Sequence, residues 1–243
     1  PSKTYDVSGG ELILEKADYY PIRPYPFFEE KEEERRVDPM ASFLEILSKL
    51  KPGENIFIQY LMKPTAEKEW KEKGTETVNK LVGKKVEKEK KWYENFFGGI
   101  EEFIRNFLVA VAIYPEWGGA TKEESKSSAS NMSPGEKLIA EAIENKISKL
   151  AFRASIRYAY IARSDIFNRA NMAAISGAFK QFNTINLNGF KSNSKAGTSA
   201  DQPFKKRREF LKKQKFIERC VNRAWPKKDF ILNIEELATV YHY

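Results

Sequence analysis

Among the residues of this chain that can do chemistry, cations dominate, and they are concentrated. Between Pro203 and Lys228 stand Lys205, Lys206, Arg207, Arg208, Lys212, Lys213, Lys215, Arg219, Arg223, Lys227 and Lys228, against only Glu209 and Glu218. That segment carries more than the whole formal net charge of +8, so the rest of the chain is close to neutral. The pattern predicts a basic helix over 204–225 whose Leu211, Ile217, Val221 and Trp225 dock on the body while its cations face solvent. A cluster of this density can hold several phosphates, with an affinity that falls steeply in salt. The plain alternative is a solvated helix whose long basic stems cover apolar surface. Lys205, Lys206, Arg207, Arg208, Lys212, Lys213, Lys215 and Arg219 are the candidate nucleic-acid contacts.

Other chemistries find little material. One cysteine, Cys220, and one histidine, His242, cannot build a zinc site of about four nitrogen or sulfur ligands. Cys220 falls with Ile217, Val221 and Ala224 on one side of the basic helix and reads as a buried structural thiol. There is no G-x-x-x-x-G-K-[ST] nucleotide loop, since Val82-Gly83-Lys84-Lys85 lacks the earlier glycine and the hydroxyl, and no G-x-S-x-G elbow presents a serine. The carboxylates of 29–36 and 66–91 alternate with Lys and Arg as on a solvated face. The expectation is a chain without a catalytic site of its own, without cofactor and without metal.

A second candidate surface is apolar. Trp92, Phe96, Ile100, Phe103, Phe107 and Val111 recur at roughly helical intervals, with Phe97 beside them, as core, as a partner groove or as a surface lying on a membrane. The most apolar stretch, 107–114, is far shorter than the roughly 20 residues of a membrane-spanning helix, and residues 1–18 show no signal peptide. The chain should fold as a soluble globule, and its start without Met suggests a fragment.

These residues need a scaffold, and the rest of the sequence describes one. Tyr19–Phe28, in which proline alternates with aromatic and apolar residues, reads as a marginal edge strand. Asp38-Pro39 caps a helix with Met40, Phe43, Leu44 and Leu47 as its buried stripe, stopped by Lys51-Pro52-Gly53. Asn55–Lys63 is apolar on both alternating sets, as expected of a strand covered on both faces or central in a sheet. Ser133-Pro134-Gly135-Glu136 is a capping box that opens a helix to about Leu150. Over 152–162, Phe152, Ala154, Ile156, Tyr158 and Tyr160 share one strand face, and Arg153, Ser155 and Arg157, with Arg163 beyond, share a basic outer one. The separation of aromatics from arginines argues against a base-stacking platform there. A helix capped by Ser164 or Asp165 follows, with Phe167, Ala170, Ala174, Ala178 and Phe182 at helical spacing and Gly177 for close packing. Asn183–Asn193 or Phe230–Leu232 supplies the last strand. The whole reads as an α+β, ferredoxin-like βαββαβ layout: residues 1–64 as its first half, 65–132 as a helical insertion and linker, and 133–243 as its second half with the basic helix.

Three stretches, DPMASFLEILSKLKPGENIFIQYLMKP (38–64), the run from Ser133 to Lys191, and FILNIEELATVYHY (230–243), resemble the N-terminal region of conjugative-transfer ATPases from bacterial lineages with reduced genomes, distantly similar to the FtsK/HerA-type motors of type IV secretion. The resemblance implies a non-catalytic accessory domain between a membrane-spanning region and a P-loop motor that begins soon after 233–239. It further implies assembly into a ring at the cytoplasmic face of the inner membrane, with the downstream ATPase domain, other copies of the chain, DNA and the membrane surface as partners. It carries over no catalytic residue. The alternative is a free-standing nucleic-acid-binding module working through 204–228.

Overall fold

A computed structural model describes residues 4–24, 38–65, 68–83 and 132–241. The candidate surface of Trp92, Phe96, Phe97, Ile100, Phe103 and Phe107 lies outside the described residues, as does His242. Among the described residues the fold is a mixed α+β arrangement of five strands and six helices. In chain order these are β1 (Tyr5–Leu14), α1 (Ala41–Ser48), β2 (Glu54–Pro64), α2 (Glu69–Leu81), α3 (Pro134–Ser148), β3 (Ala151–Arg163), α4 (Arg169–Ala178) with a 3-10 turn over Phe179–Phe182, β4 (Phe190–Ser192), α5 (Lys205–Val221), β5 (Phe230–Asn233) and α6 (Ile234–Val240).

The sheet is antiparallel throughout, in the order β2-β3-β1-β4, and β5 also pairs with β3. β3 is its axis: β2 pairs with it from Glu54↔Ala162 to Pro64↔Phe152, while β1 and β5 share its other side, β1 opposite 157–163 and β5 opposite 151–154. One sheet face carries the main core, where Ile156, Tyr158 and Tyr160 of β3 and Leu12 and Leu14 of β1 meet Phe43, Ile175, Phe179 and Phe182. A second cluster joins α2 to α3 through Val78, Ala140 and Ile143. At Gly74 an added Cβ would stand 2.9 Å from Ile147, so the two helices meet at a hydrogen-sized residue.

Several expectations hold. Ser133 and Glu136 form the reciprocal capping box of α3, Phe43 is the buried anchor of α1, and both proposed closing segments contain strands, β4 and β5. Others are corrected. The first strand is Tyr5–Leu14, not Tyr19–Phe28. Within the described part of the latter, Pro21 and Pro24 have no N–H for a ladder, and Ile22 and Arg23 donate theirs to Glu236 Oε1 and the Phe182 carbonyl. β2 lies at the sheet edge among the described strands, and none of its eleven residues is fully buried; apolar character on both faces does not make it central. Leu44 and Leu47 of α1 are exposed. The cap of α4 is Asn168, whose Oδ1 accepts from Ala170 N, because Asp165 is engaged with Arg163. Ala170 and Ala174 face solvent, Gly177 has nothing near it, and Ile175 and Phe179 are buried instead.

The outer face of β3 is the largest correction. Ser155 and Arg157 are as buried as the aromatic face, and Arg157 is covered by the end of α5, whose Arg219 carbonyl it reaches. The ladder register explains how a charge survives there: Gln59, Arg157 and Glu11 stand directly opposite one another across β2, β3 and β1, so acid and base meet on one face.

Candidate nucleic-acid interface

Three contacts seat α5 on the sheet. Phe216, fully buried, packs on Gly9 of β1; a Cβ there would lie 2.3 Å from the Phe216 ring, so only glycine permits the approach. Lys213 reaches over the strand to Asp6, 2.6 and 2.8 Å from its two oxygens. At the far end, Arg157 donates through Nη1 to the Arg219 carbonyl at 3.1 Å and through Nη2 to the Ala224 carbonyl. A buried guanidinium thereby caps the C-terminus of α5, where the helix dipole is negative and the last carbonyls lack intrahelical partners. Arg157 Nε donates to Glu11 Oε1 at 2.9 Å, and Arg219 Nη1 forms an ion pair with the same oxygen at 3.0 Å.

Beside α5 the segment after β4 folds into a wall. Asn193 organises it: its N–H donates to the Glu11 carbonyl at 2.8 Å, its carbonyl accepts from Ala196 and Gly197, and its Oδ1 accepts from Lys195 N. Thr198 fixes the other end, where its Oγ1 accepts from Gly9 N at 3.0 Å and its N–H donates to the Gly9 carbonyl. Two helix cations cross to this wall, Arg219 Nη2 donating to the Ala196 carbonyl at 2.7 Å and Lys212 Nζ to the Ser199 carbonyl at 2.6 Å.

Between wall and helix runs an open groove of about 1050 Å³ floored by Glu11 and Ile13. Seven cations of the described residues line it: Lys191 on β4, Lys195 on the wall, Lys212, Lys215 and Arg219 on the helix, and Lys227 and Lys228 at the end. Its two acids are Glu218 and Glu11, the latter already held by two arginines. Lys191 faces inward because the β1–β4 register places it opposite Ile13. Ser192, Asn193, Ser194 and Asn222 add polar groups, and among the described residues no aromatic side chain lines the groove. A concave surface with this surplus of cations attracts and holds polyanions.

Of the eight cations singled out from the sequence, Lys212, Lys215 and Arg219 thus meet in the groove. Lys205, Lys206, Arg207 and Arg208 are exposed in the first turn of α5, where no acid balances them, and Arg208 Nη1 donates to the Asp201 carbonyl at 3.0 Å. Lys213 is not a solvent-facing contact: it is held by Asp6 on the other side of the helix. Leu211 and Val221 do not dock, since both are exposed, and the docked apolar residue is Phe216. Cys220 is half-buried rather than buried, and burial pushes its thiol above the ordinary value, as for an unreactive cysteine. Arg223 belongs to a second groove of about 790 Å³ on the opposite flank of α5, whose lining includes Phe57, Met62, Ile217, Val221 and Tyr241. Lys191, Lys195, Glu11 and Arg157 were not among the candidates. Lys191 sits near the end of a candidate strand and Lys195 in an ordinary polar loop sequence, and only the register brings the others together.

No cluster of His, Cys, Asp and Glu that could hold a metal occurs among the described residues, and no helix among them is long and apolar enough to cross a membrane. A family model described as a domain of unknown function, DUF8128, matches residues 2–243. No curated protein and no solved structure matches the chain. The chain belongs to the DUF8128 family.

Proposed function

We propose that this member of the DUF8128 family is a non-catalytic docking domain that holds nucleic acid for a translocating motor. The observation that carries the reading is the groove beside α5, with seven cations converging from three segments of chain and its central acid neutralised from within. Resemblance to the region preceding conjugative-transfer ATPases supplies the motor, and with it a ring of copies and a site at the inner membrane face. On the same footing, β1-α1-β2 and β3-α4-β4 form the two halves of a ferredoxin-like βαββαβ unit. The order β2-β3-β1-β4 in an antiparallel sheet supports this, with β5 and α5 as additions.

Fluorescence anisotropy of labelled DNA against this chain tests the docking function. Affinity should fall by about a hundredfold or more between about 50 and about 200 mM salt, as expected when four or five phosphates are neutralised. Absence of binding at the lower salt, or binding indifferent to salt, would reject it. The motor is tested by reading the gene beyond the codon for Tyr243. A strand followed by G-x-x-x-x-G-K-[ST] is expected, and an immediate stop codon would leave a free-standing binding module.

A further inference from the structure

α5 presents its cations in two different ways. Glu209, Lys213, Phe216 and Cys220, spaced four, three and four residues apart, form the side turned to the sheet. Next to them Lys205, Arg208, Lys212, Lys215 and Arg219, spaced three, four, three and four, form a row of cations along the flank that faces the wall. The row runs about 21 Å at the rise of an α-helix, with neighbours about 5 Å apart along the axis. Three of its members are already steered toward the wall by backbone carbonyls: Arg208 by Asp201, Lys212 by Ser199 and Arg219 by Ala196. Side chains ordered in advance lose less freedom when a ligand arrives.

We infer that the groove takes the sugar–phosphate backbone of a nucleic acid lengthwise along α5, gripped by this row and by Lys191 and Lys195 opposite, with the bases unread. The inference rests on the docking function proposed above and adds the orientation and the chemistry recognised. A straight file of cations at near-regular spacing matches a repeating file of phosphates. Among the described residues the lining holds no aromatic, and so no stacking platform of the kind on which single-strand binders hold bases. Of the two amides among the described residues that line the groove, Asn193 has its side-chain oxygen engaged with the wall's own backbone.

The test is a pair of charge-matched variants. Lys212→Glu with Lys215→Glu lies in the row; Lys137→Glu with Lys180→Glu changes the charge equally at two exposed lysines outside α5 and outside the groove. The row variant should bind DNA about tenfold or more weakly, with a salt slope shallower by about two, while the control keeps the slope of the unaltered chain. Lys212→Gln with Lys215→Gln should show the same ranking if charge reversal disturbs the helix, and circular dichroism reports whether each variant is folded. Equal losses in row and control variants would overturn the row while leaving nucleic-acid binding intact; no binding by the unaltered chain would remove the docking function itself. Homopolymers of different base should bind alike, and a strong preference among them would overturn the unread bases. Single-stranded and duplex probes distinguish a free strand from one strand of a duplex. Anionic vesicles held by the row as tightly as DNA would overturn the assignment to nucleic acid.

Discussion

Glu236 and Glu11 are both buried carboxylates held by cations, yet they serve different ends of the molecule. Around Glu236 everything is closed. Lys146 Nζ lies 3.0 Å from Glu236 Oε2 and donates to the carbonyls of Tyr20 and Ile231, with both side chains at most 1% exposed. Glu236 also accepts from Ile22 N and Asn233 N at 2.8 Å, the latter as part of the capping box of α6. Lys146 and Glu236 match one charge of each sign, and the cluster ties α3, β5, α6 and the 19–24 segment together. Around Glu11 two arginines meet one carboxylate, and the second, Arg219, is one-third exposed. The surplus positive charge opens into the groove. Burial and pairing are common to both; what separates a fastening from a binding surface is the unmatched charge and the one member that reaches solvent.

Breaking the closed cluster should have the largest effect. Lys146→Ala leaves Glu236 buried without its cation and should lower unfolding free energy by about 3–5 kcal/mol, read from urea denaturation. Arg219→Gln, by contrast, leaves Arg157 on Glu11 and should cost under about 1 kcal/mol while weakening DNA binding. Similar losses in the two variants would erase the distinction between fastening and binding cluster.

Next in size is the contact that holds the open cluster on the sheet. Gly9→Ala places a methyl group into the Phe216 ring and, at 2.9 Å, against the Tyr158 carbonyl. Overpacking of this kind costs about 1–3 kcal/mol. Because Phe216 seats α5, the same change should shift the helical wall of the groove and weaken DNA binding. Unchanged stability together with unchanged binding would mean that the groove does not depend on this seat.

How far the sequence reveals these regions follows from what each depends on. The Ser133 capping box and the density of cations over 204–228 are local patterns and can be read directly. β1 is obscured because Gly9, which lets α5 approach, Gly10, which makes room for the Tyr158 side chain, and Glu11, which binds Arg157 and Arg219, interrupt the apolar alternation by which a strand is recognised. The outer face of β3 looks solvated because Arg157 is counted as a surface charge until the register sets Glu11 opposite it. α4 is misread by phase: alanines at helical spacing fit either side of a helix, and only the contact of Phe43 with Phe179, at 4.8 Å, decides which side is inward. Likewise the composition of α5 shows that cations are present but not which ones form the row, since that depends on which flank the 191–199 segment covers.

A third ion pair, between Arg153 and Asp229, should cost less to break than either the Lys146 or the Gly9 change. Arg153 on β3 holds Asp229 with two parallel bonds, Nε to Oδ2 at 2.7 Å and Nη2 to Oδ1 at 2.8 Å, and Trp225 Nε1 donates to Oδ2 at 2.8 Å. Trp225 in turn lies under Lys63, whose Nζ is 4.3 Å from its ring centre, so the pair braces the chain just before Lys227 and Lys228 enter the groove. Partial burial alone would raise the Asp229 carboxyl, but the bonds from Arg153 and Trp225 outweigh it and hold the group below its ordinary value of 3.8. With the folded value depressed, the unfolded chain binds the proton more readily. The stabilisation is therefore fully present above the ordinary aspartate value and is lost as pH falls through the depressed one. Asp229→Asn should cost on the order of 1 kcal/mol at neutral pH, because the pair is only partly shielded from water. It should also flatten the decline of unfolding free energy on the acid side of that window, measured by urea denaturation at a series of pH values. An acid limb unchanged by the substitution would show that Asp229 titrates alike in the folded and unfolded chain, and would place this pair with the solvent-screened contacts of the surface.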